Sequence, residues 1–254
     1  MKFPSTPGFR LDNKRALITG AGKGIGLGAA IALSEAGSEV VMISRTKQDL
    51  RKIKEYLCFK GNKAHYKILD VNKTSEVDNF IKDEEPFDIL VNNAGTNIPS
   101  SLIDTKKKDF DYLISLNIKS VVTLTKLVVK KMLDNNTKGS IINVSSQMGH
   151  VGAANRTTYC TTKFAIEGFT KSLSIELAPY GIRVNSICPT FVRTPMTDPF
   201  LQDKKFKKEV LSKIPLKRFG RIEDVMGSFV FLASESSSLI TGISLLVDGG
   251  WTAQ

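Results

Sequence analysis

Residues 16–26 read Ala-Leu-Ile-Thr-Gly-Ala-Gly-Lys-Gly-Ile-Gly, an apolar run followed by a glycine-rich loop and a helix-like segment. Glycines permit a tight turn and let backbone amides approach a pyrophosphate, and a helix N-terminus adds partial positive charge. A lone glycine-rich loop is weak evidence, because glycine turns also arise for backbone reasons. Here the required strand–loop–helix context is present, so the stretch predicts a dinucleotide site. The predicted contacts are Gly20, Lys23, Gly24, Ile25 and Gly26.

The same alternation of short apolar runs and helical segments continues along the chain. Strands are predicted at residues 16–19, 40–43, 68–69, 89–91, 141–144, 183–187 and 244–247. Helical periodicity marks residues 26–36, 48–59, 121–133, 161–177 and 222–232. Because strands that alternate with helices form βαβ units, we predict an α/β fold. It comprises one doubly wound domain, residues 1–254, with a seven-stranded parallel sheet and helices on both faces.

Residues 193–220 interrupt this alternation with three prolines around a lysine-rich, helix-like piece. An insertion after the sixth strand would lie at the carboxyl edge of the sheet, where ligands bind in such folds. We interpret this segment as a mobile lid over the substrate.

The composition is that of a globular protein, with 41% hydrophobic and 24% charged residues among 254. No apolar stretch approaches the roughly 20 residues of a membrane span, and the N-terminus lacks an apolar core of signal-peptide length. Cys58, Cys160 and Cys188 are widely spaced and odd in number, which suits reduced thiols. We expect a soluble cytoplasmic protein with no membrane partner and no metal.

The net charge of +11 allows two interpretations. An anionic partner such as nucleic acid, an acidic carrier or a phosphate-bearing cofactor would explain it. Lysines spread over helix surfaces would also explain the charge. The lysine clusters at residues 106–108 and 204–208 lack the interleaved aromatics of a base-stacking surface. We favour the second interpretation and expect no nucleic-acid partner.

The end of the second predicted strand bears on the choice of cofactor. An NAD-binding site usually has Asp or Glu about 20 residues after the glycine loop, to bind the ribose 2′-hydroxyl. This chain has Ser44 and Arg45 there. Ser44 does not repel a 2′-phosphate, and Arg45 can hold one, with Lys23 as a second cation. We predict NADP(H) as the preferred cofactor, with NAD(H) as the alternative.

Tyr159 and Lys163 are separated by one helical turn, downstream of Ser145 and Ser146 at the end of an apolar run. Positions i and i+4 of a helix share a face, so the phenol and the ammonium point the same way. A phenol titrates near about 10 in water, and a nearby cation favours its phenolate. With Ser146 to hold a carbonyl oxygen and a nicotinamide to supply hydride, this pair would interconvert ketones and alcohols.

These motifs together resemble the short-chain dehydrogenase/reductase family in its single-domain, Rossmann-type form. The resemblance extends from about Asn13 to Gly250. Its motifs are, in chain order, Thr19-Gly20-(x)3-Gly24-x-Gly26, Asp70-Val71, Asn92-Asn93-Ala94-Gly95, Asn117, Ser146, Tyr159-(x)3-Lys163 and Asp248-Gly249-Gly250. Pro189-Thr190 departs from the usual Pro-Gly, but carbonyl- and xylulose-reductase-like members share it.

The resemblance implies roles for the matching residues. Ser146 would hydrogen-bond the substrate oxygen, Tyr159 would exchange a proton with it, and Lys163 would lower the pKa of Tyr159 and hold the nicotinamide ribose. Asn117 would anchor a water that leads the proton to solvent. The other implied cofactor contacts are Ser44, Arg45, Asp70 at the adenine, Val71, Asn92 on the adenosine ribose side, Ala94, Val192 and Thr194.

The substrate pocket is less clearly marked. Candidate residues are Thr96, Asn97, Ile98, Gln147, Met148, His150, Asn155, Arg156, Phe191 and Met196, of which we name Gln147, His150 and Arg156 as substrate-binding. Their polarity favours a small sugar, polyol or hydroxy acid. Arg156 or His150 could meet an anionic group, but we favour an Arg156 that faces solvent or pairs with a neighbour.

Two other functions remain open. A 3-oxoacyl thioester reductase would use the same chemistry, although Tyr180 stands where carrier-dependent reductases often have a basic residue. A non-catalytic dinucleotide-binding regulator would be expected to have lost Ser146, Tyr159 or Lys163, and all three are present. The resemblance also implies a homotetramer formed through the helices at residues 107–133 and 159–178.

Overall fold

Seven parallel strands form the centre of the computed structural model, which describes residues 3–254. They are β1 (Arg15–Thr19), β2 (Glu39–Ser44), β3 (Ala64–Ile68), β4 (Ile89–Asn92), β5 (Ser140–Val144), β6 (Arg183–Pro189) and β7 (Ser244–Val247). Their order in the sheet is β3-β2-β1-β4-β5-β6-β7. The strand order reverses between β1 and β4, so a crevice opens at the carboxyl ends of these two strands.

Helices cover both faces of this sheet, as the sequence predicts. They are α1 (Gly24–Glu35), α2 (Lys47–Phe59), α3 (Thr74–Asp83), α4 (Lys107–Ile114), α5 (Ser120–Asp134), α6 (Thr157–Leu177), α7 (Asp198–Leu201), α8 (Lys204–Ser212) and α9 (Glu223–Ala233). One apolar core joins α1, α2 and α9 to the sheet, and a second joins α3, α5 and α6 to the opposite face.

Alternate side chains of β1 enter these two cores. Ile18 belongs to the first core and Leu17 to the second, and neither is exposed to solvent. A strand buried on both faces has no polar alternation, which is why β1 appears in the sequence as a continuous apolar run. Burying each such side chain contributes roughly 1.5–3 kcal/mol.

One predicted strand is misplaced. The sequence predicts the third strand at residues 68–69, whereas β3 is Ala64–Ile68. This strand lies at the edge of the sheet, and His65, Lys67 and Ile68 are exposed. Because the edge of the sheet is not covered on both faces, β3 lacks the apolar run that locates the central strands.

One helical run, Lys107–Asp134, is long and apolar enough to cross a membrane by length and composition alone. It contains α4, a π-helical turn at Ser115–Lys119 and α5. Leu124, Val128 and Met132 of this run are buried in the second core. These contacts are those of a core helix of the domain.

Residues 193–220 leave the sheet and return to it. They include α7 and α8, which pack through a small third core of Val210, Ile214 and Phe219. Asp203 caps α8 by accepting hydrogen bonds from the backbone N–H groups of Lys205 and Phe206. The segment therefore forms a small unit above the carboxyl end of β6.

Candidate active site

The loop between β1 and α1 is closed by glycines. Gly20 and Gly24 have φ values of +64° and +57°, a region that favours glycine. A Cβ on Gly26 would lie 2.4 Å from the carbonyl oxygen of Gly20 and 2.4 Å from Asn93 Nδ2. Asn93 Nδ2 donates to the carbonyl oxygens of Thr19 and Gly20, at 2.9 and 3.2 Å. The end of β4 thus fixes the loop at the start of α1.

A cavity of about 300 Å³ lies between this loop and the ends of β2 and β3. Its walls include the predicted contacts Gly20, Lys23, Ser44, Arg45, Asp70, Val71 and Ala94. Lys23 Nζ lies 3.4 Å from Asp49 Oδ2, and Arg45 Nη1 lies 4.0 Å from Asp70 Oδ2. Two exposed cations and a serine hydroxyl therefore face a space where an NAD site would present a carboxylate. This donor set fits a dinucleotide that carries a 2′-phosphate.

A larger cleft of about 530 Å³ continues from this cavity to the predicted catalytic residues. Ser146, Tyr159, Lys163, Ile25, Gly24, Val192 and Thr194 all line it. The cleft therefore brings together the residues that the sequence places at the nicotinamide end of the site.

Ser146 is held by its own chain segment. Its hydroxyl accepts a hydrogen bond from Met148 N at 3.1 Å and donates to Gln147 Oε1 at 2.8 Å. Tyr159 lies on the first turn of α6 and lines both the large cleft and a smaller cavity together with Ser146. The two hydroxyl-bearing side chains therefore border the same space.

Burial shifts the pKa values of Tyr159 and Lys163 in opposite directions. It raises the pKa of Tyr159 to about 12, and the nearby Ser146 hydroxyl only partly opposes this rise in pKa. It lowers the pKa of Lys163 to about 8, and electrostatic interactions with Cys188 and Glu167 only partly oppose this fall. Since part of the Tyr159 side chain is exposed to the cleft, water moderates its shift.

One expected effect is not seen in this structure. The resemblance implies that Lys163 lowers the pKa of Tyr159, yet that pKa is raised. Lys163 Nζ donates to the carbonyl oxygen of Val144 at 2.9 Å and lies 5.6 Å from the centre of the Tyr159 ring. At that position its charge does not offset the desolvation of the phenol.

A buried carboxylate lies one helical turn beyond Lys163. Glu167 accepts hydrogen bonds from Ser186 Oγ at 2.9 Å, from Cys188 Sγ at 3.3 Å and from Ser244 Oγ. His150 Nε2 lies 3.6 Å from Glu167 Oε2 and 3.4 Å from Cys188 Sγ. His150 therefore faces this cluster and lines neither cavity beside Tyr159, which corrects its assignment to the substrate pocket.

The ligand-type atoms of His150, Glu167 and Cys188 lie within 4.8 Å of one another. Three donors already satisfy the Glu167 carboxylate, so this cluster has a sufficient hydrogen-bonded explanation. The absence of a metal stays a prediction, which retention of activity after chelator treatment and dialysis would test.

Asn117 lies in the π-helical turn Ser115–Lys119. Its Oδ1 accepts from Thr96 N at 3.0 Å, while Nδ2 donates to Thr96 O at 2.9 Å and to Thr162 Oγ1 at 3.1 Å. The side chain thus joins the loop after β4 to α6. π-Helical turns occur frequently at functional sites, and the water-anchoring role of Asn117 stays a prediction.

The side chain of Asn92 does not reach the cleft, contrary to the contact that the resemblance implies. It is buried, and its Nδ2 donates to Thr125 Oγ1 and to Asn143 Oδ1, each at 2.9 Å. The adjacent Asn93 lines the cleft instead. Successive residues of a strand point to opposite faces, so only one of the pair can do so.

A smaller cavity of about 70 Å³ lies beside Ser146 and Tyr159. Its other lining residues are Asn97, Gln147, Met148, Arg156, Thr190, Phe191, Met196, Thr197 and Phe200. Gln147 and Arg156 line this cavity, whereas Ile98 and Asn155 do not, and substrate binding by Gln147 and Arg156 stays a prediction. We expected Arg156 to face solvent or to pair with a neighbour; at 9% exposure it does not face solvent.

Sequence reasoning missed several residues that shape the site. Asn93 secures the glycine loop, Asp49 pairs with Lys23, Glu167 approaches Lys163, and Phe200 covers Arg156. Asn93 belongs to the motif quoted from the sequence, which assigned it no role, and Glu167 lies four residues after Lys163. Phe200 carries no such signal, because only the path of α7 brings it to the pocket.

Comparison with known proteins supports this arrangement. The family model described as Enoyl-(Acyl carrier protein) reductase matches residues 20–252. L-xylulose reductase of Bos taurus is 37% identical over 245 residues, covering 96% of this chain and 99% of that protein. The 3-oxoacyl-(acyl-carrier-protein) reductase of Thermotoga maritima is 37% identical over 246 residues, covering 95% and 99%.

Among solved structures, the chain is similar to a gluconate 5-dehydrogenase of Burkholderia cenocepacia J2315 in complex with NADP and tartrate. The TM-score is 0.93 at 32% identity, covering 97% of this chain and 98% of that one. Both the fold and the sequence similarity therefore extend over nearly the whole chain.

Proposed function

This chain belongs to the short-chain dehydrogenase/reductase family, and on that basis we propose that it is an NADP(H)-dependent oxidoreductase that interconverts a ketone or aldehyde with an alcohol. The substrate is a small polar molecule of the sugar, polyol or hydroxy-acid type. The observation that carries the proposal is the convergence of Ser146, Tyr159 and Lys163 in a cleft that also reaches Lys23 and Arg45.

The protein's residues position the substrate and move the proton. The nicotinamide, when bound, supplies or accepts the hydride. Ser146 orients the substrate oxygen, and the protonated phenol of Tyr159 donates its proton to that oxygen in reduction, which leaves a phenolate. In oxidation the phenolate form of Tyr159 accepts the proton of the substrate hydroxyl. Lys163 keeps a positive charge in the site below about pH 8. Segment 193–220 acts as the lid, since Thr194, Met196 and Thr197 line the cleft.

The preference for NADP(H) over NAD(H) is supported by charge. Lys23 and Arg45 approach the same cavity, and Ser44 occupies the position of the carboxylate that would repel a 2′-phosphate. Asp49 and Asp70 neutralise these cations in part. A 2′-phosphate that displaced the two carboxylates would accept charge-assisted hydrogen bonds from Lys23 and Arg45. The gluconate 5-dehydrogenase similar to this chain was crystallised with NADP.

A 3-oxoacyl thioester reductase is the second candidate, because the Thermotoga maritima enzyme is as similar in sequence as L-xylulose reductase. Its docking to an acidic carrier would need basic residues near Tyr180, which is exposed but uncharged. Lys138 and Lys171 are the available cations. The two candidates differ only in the pocket.

The assembly proposed is a homotetramer in the cytoplasm, with no membrane or nucleic-acid partner. Exposed apolar side chains on the paired long helices, including Val122 of α5 and Phe164 and Ile175 of α6, support contact between copies. Light scattering after size-exclusion chromatography measures the mass directly, and a monomer would contradict the assembly.

The test of the function is oxidation of NADPH with a panel of ketoses, dicarbonyls, 2-keto acids and an acetoacetyl thioester, with NADH in parallel. We expect turnover of small polar carbonyls with NADPH. Turnover of the thioester alone would support the second candidate, and no turnover at all would overturn both.

A further inference from the structure

Arg156 is a buried cation beside the reacting groups. It precedes α6 and lines the small cavity together with Ser146 and Tyr159. Only 9% of the residue is exposed. Arginine is almost never buried without a partner, because removing its charge from water is costly unless an anion compensates.

No such anion is supplied by the chain itself. Among residues 3–254, no carboxylate lies within ion-pair distance of Arg156. Its Nη1 donates to the carbonyl oxygen of Asn155 at 3.0 Å, and its Nε has no hydrogen-bond partner in this part of the chain. The ring of Phe200 stacks on the guanidinium at 5.5 Å. Burial lowers the pKa of Arg156, as expected for an uncompensated charge.

Two further polar groups on the wall of the same cavity are unpartnered. Asn97 Oδ1 and Thr190 Oγ1 are buried without hydrogen-bond partners among the described residues. Thr190 also lines the large cleft, as do Ser146 and Tyr159, so the two cavities adjoin. A hydroxylated molecule that extends from Tyr159 to Arg156 would satisfy these groups.

We propose that Arg156 binds the carboxylate of the substrate, which makes the substrate a polyhydroxylated keto or hydroxy acid of the sugar-acid type. This inference rests on the proposed function. Ser146 and Tyr159 hold the reacting carbon–oxygen bond, and the carboxylate lies against the guanidinium. Arg156 and Tyr159 are three residues apart at the start of α6, so one to a few carbon atoms span the distance. An uncharged sugar would leave the buried cation unpaired.

The chemistry of the guanidinium also admits a phosphate, because carboxylates and phosphates both pair with the arginine fork through two parallel hydrogen bonds. Ketose phosphates are therefore included in the first experiment, where they distinguish the two anions.

The first experiment compares keto sugar acids with neutral ketoses of the same length and with ketose phosphates. Wild type should prefer the keto acid. In R156Q, kcat/KM for the keto acid relative to the ketose should fall about 10- to 100-fold, the loss expected for a charge-assisted hydrogen bond. R156K keeps the positive charge but lacks the two-pronged guanidinium, so its ratio should lie between those of wild type and R156Q. R51Q removes an exposed arginine of α2 that lines neither cavity, and it should leave the ratio unchanged.

The second experiment does not depend on turnover. In the presence of NADP, the thermal stabilisation of the protein by tartrate is compared with that by threitol, its neutral four-carbon counterpart. Tartrate, but not threitol, should raise the melting temperature of wild type, and tartrate should not raise that of R156Q. If R156Q does not fold, R156K serves in its place.

The outcomes distinguish a failure of the carboxylate inference from a failure of the proposed oxidoreductase function. Turnover of neutral ketoses or ketose phosphates in preference to keto acids, or an R156Q ratio equal to wild type, would overturn the inference and leave the oxidoreductase function standing. Equal stabilisation by tartrate in wild type and R156Q would also overturn it. No turnover of any carbonyl by wild type would remove both.

Discussion

At the scale of single residues, the site separates the protonation states of two neighbours. Tyr159 has a pKa of about 12 and Lys163 a pKa of about 8, both through burial. At neutral pH the phenol is therefore protonated and the ammonium charged. A protonated phenol beside Ser146 can donate a proton to a carbonyl oxygen, which is the form that reduction requires.

The role of Tyr159 is tested by Y159F. The variant removes the proton donor and keeps the ring, so carbonyl reduction should fall by about 100-fold or more. NADPH binding, measured by titration calorimetry, should stay within a few-fold of wild type. Turnover within tenfold of wild type would contradict the assigned proton transfer.

The role of Arg45 is tested by R45D. A carboxylate at this position would repel a 2′-phosphate and could accept hydrogen bonds from a ribose. The ratio of kcat/KM with NADPH to that with NADH should therefore fall by about tenfold or more, since 1.4 kcal/mol corresponds to a factor of ten. R51Q, which changes an exposed arginine on α2 outside the cavity, is the control. An unchanged ratio would contradict the phosphate assignment.

At the scale of elements, the site depends on how closely the first loop approaches the start of α1. The loop, the first turn of the helix and Asn93 occupy one small volume, and glycine at residue 26 makes that packing feasible. The third glycine of the motif therefore acts through helix–strand packing, while Gly20 and Gly24 form the turn.

Two alanine substitutions separate packing from helix propensity. A Cβ at residue 26 would meet backbone at 2.4 Å, so G26A should weaken NADPH binding and lower the melting temperature. Gly227, on the exposed side of α9, has nothing within 4 Å of its position for a Cβ. G227A should be neutral or stabilise by about 0.5–1 kcal/mol. Calorimetry measures NADPH binding and thermal denaturation measures stability in both variants. Equal changes in G26A and G227A would contradict the packing explanation.

At the scale of the whole molecule, a cation is held inside the fold. Lys163 extends from α6 to the end of β5, where it is largely buried at the wall of the cleft. A fall of its pKa from 10.5 to about 8 corresponds to on the order of 3 kcal/mol of folding free energy. The domain must offset that cost through its two apolar cores.

K163M tests this cost. Below pH 8 the unfolded wild type and the folded wild type both hold the Lys163 proton, and burial of the charge destabilises only the folded form. Between pH 8 and 10.5 the unfolded state alone keeps the proton, so the stability of wild type rises relative to K163M. K163M should be the more stable protein at pH 7, and the gap should close toward pH 10.5. Urea unfolding without cofactor, at fixed protein concentration, measures the difference in unfolding free energy between the two proteins at each pH. A gap that does not change with pH would contradict the buried charge.

The central strands and the glycine loop were predictable because their signals are local. β1 is a continuous apolar run, and Gly20, Gly24 and Gly26 are spaced for one turn and one helix start. Tyr159 and Lys163 share a face because a helix repeats every 3.6 residues. The edge strand β3 was misplaced because its exposed side chains carry no such repeat.

The sequence by itself determined the alternation of strands and helices, the glycine-rich loop and the shared face of Tyr159 and Lys163, since each depends on residues a few positions apart. Only the tertiary structure decided the surroundings of Arg156, His150 and Asn92. Burial and pairing depend on partners that are distant in sequence. Phe200 packs on Arg156, and His150 Nε2 contacts Cys188 Sγ. Asn92 points inward and donates a hydrogen bond to Asn143 of the neighbouring strand. The physical reason is that desolvation is a property of the assembled layers, and no segment creates it alone.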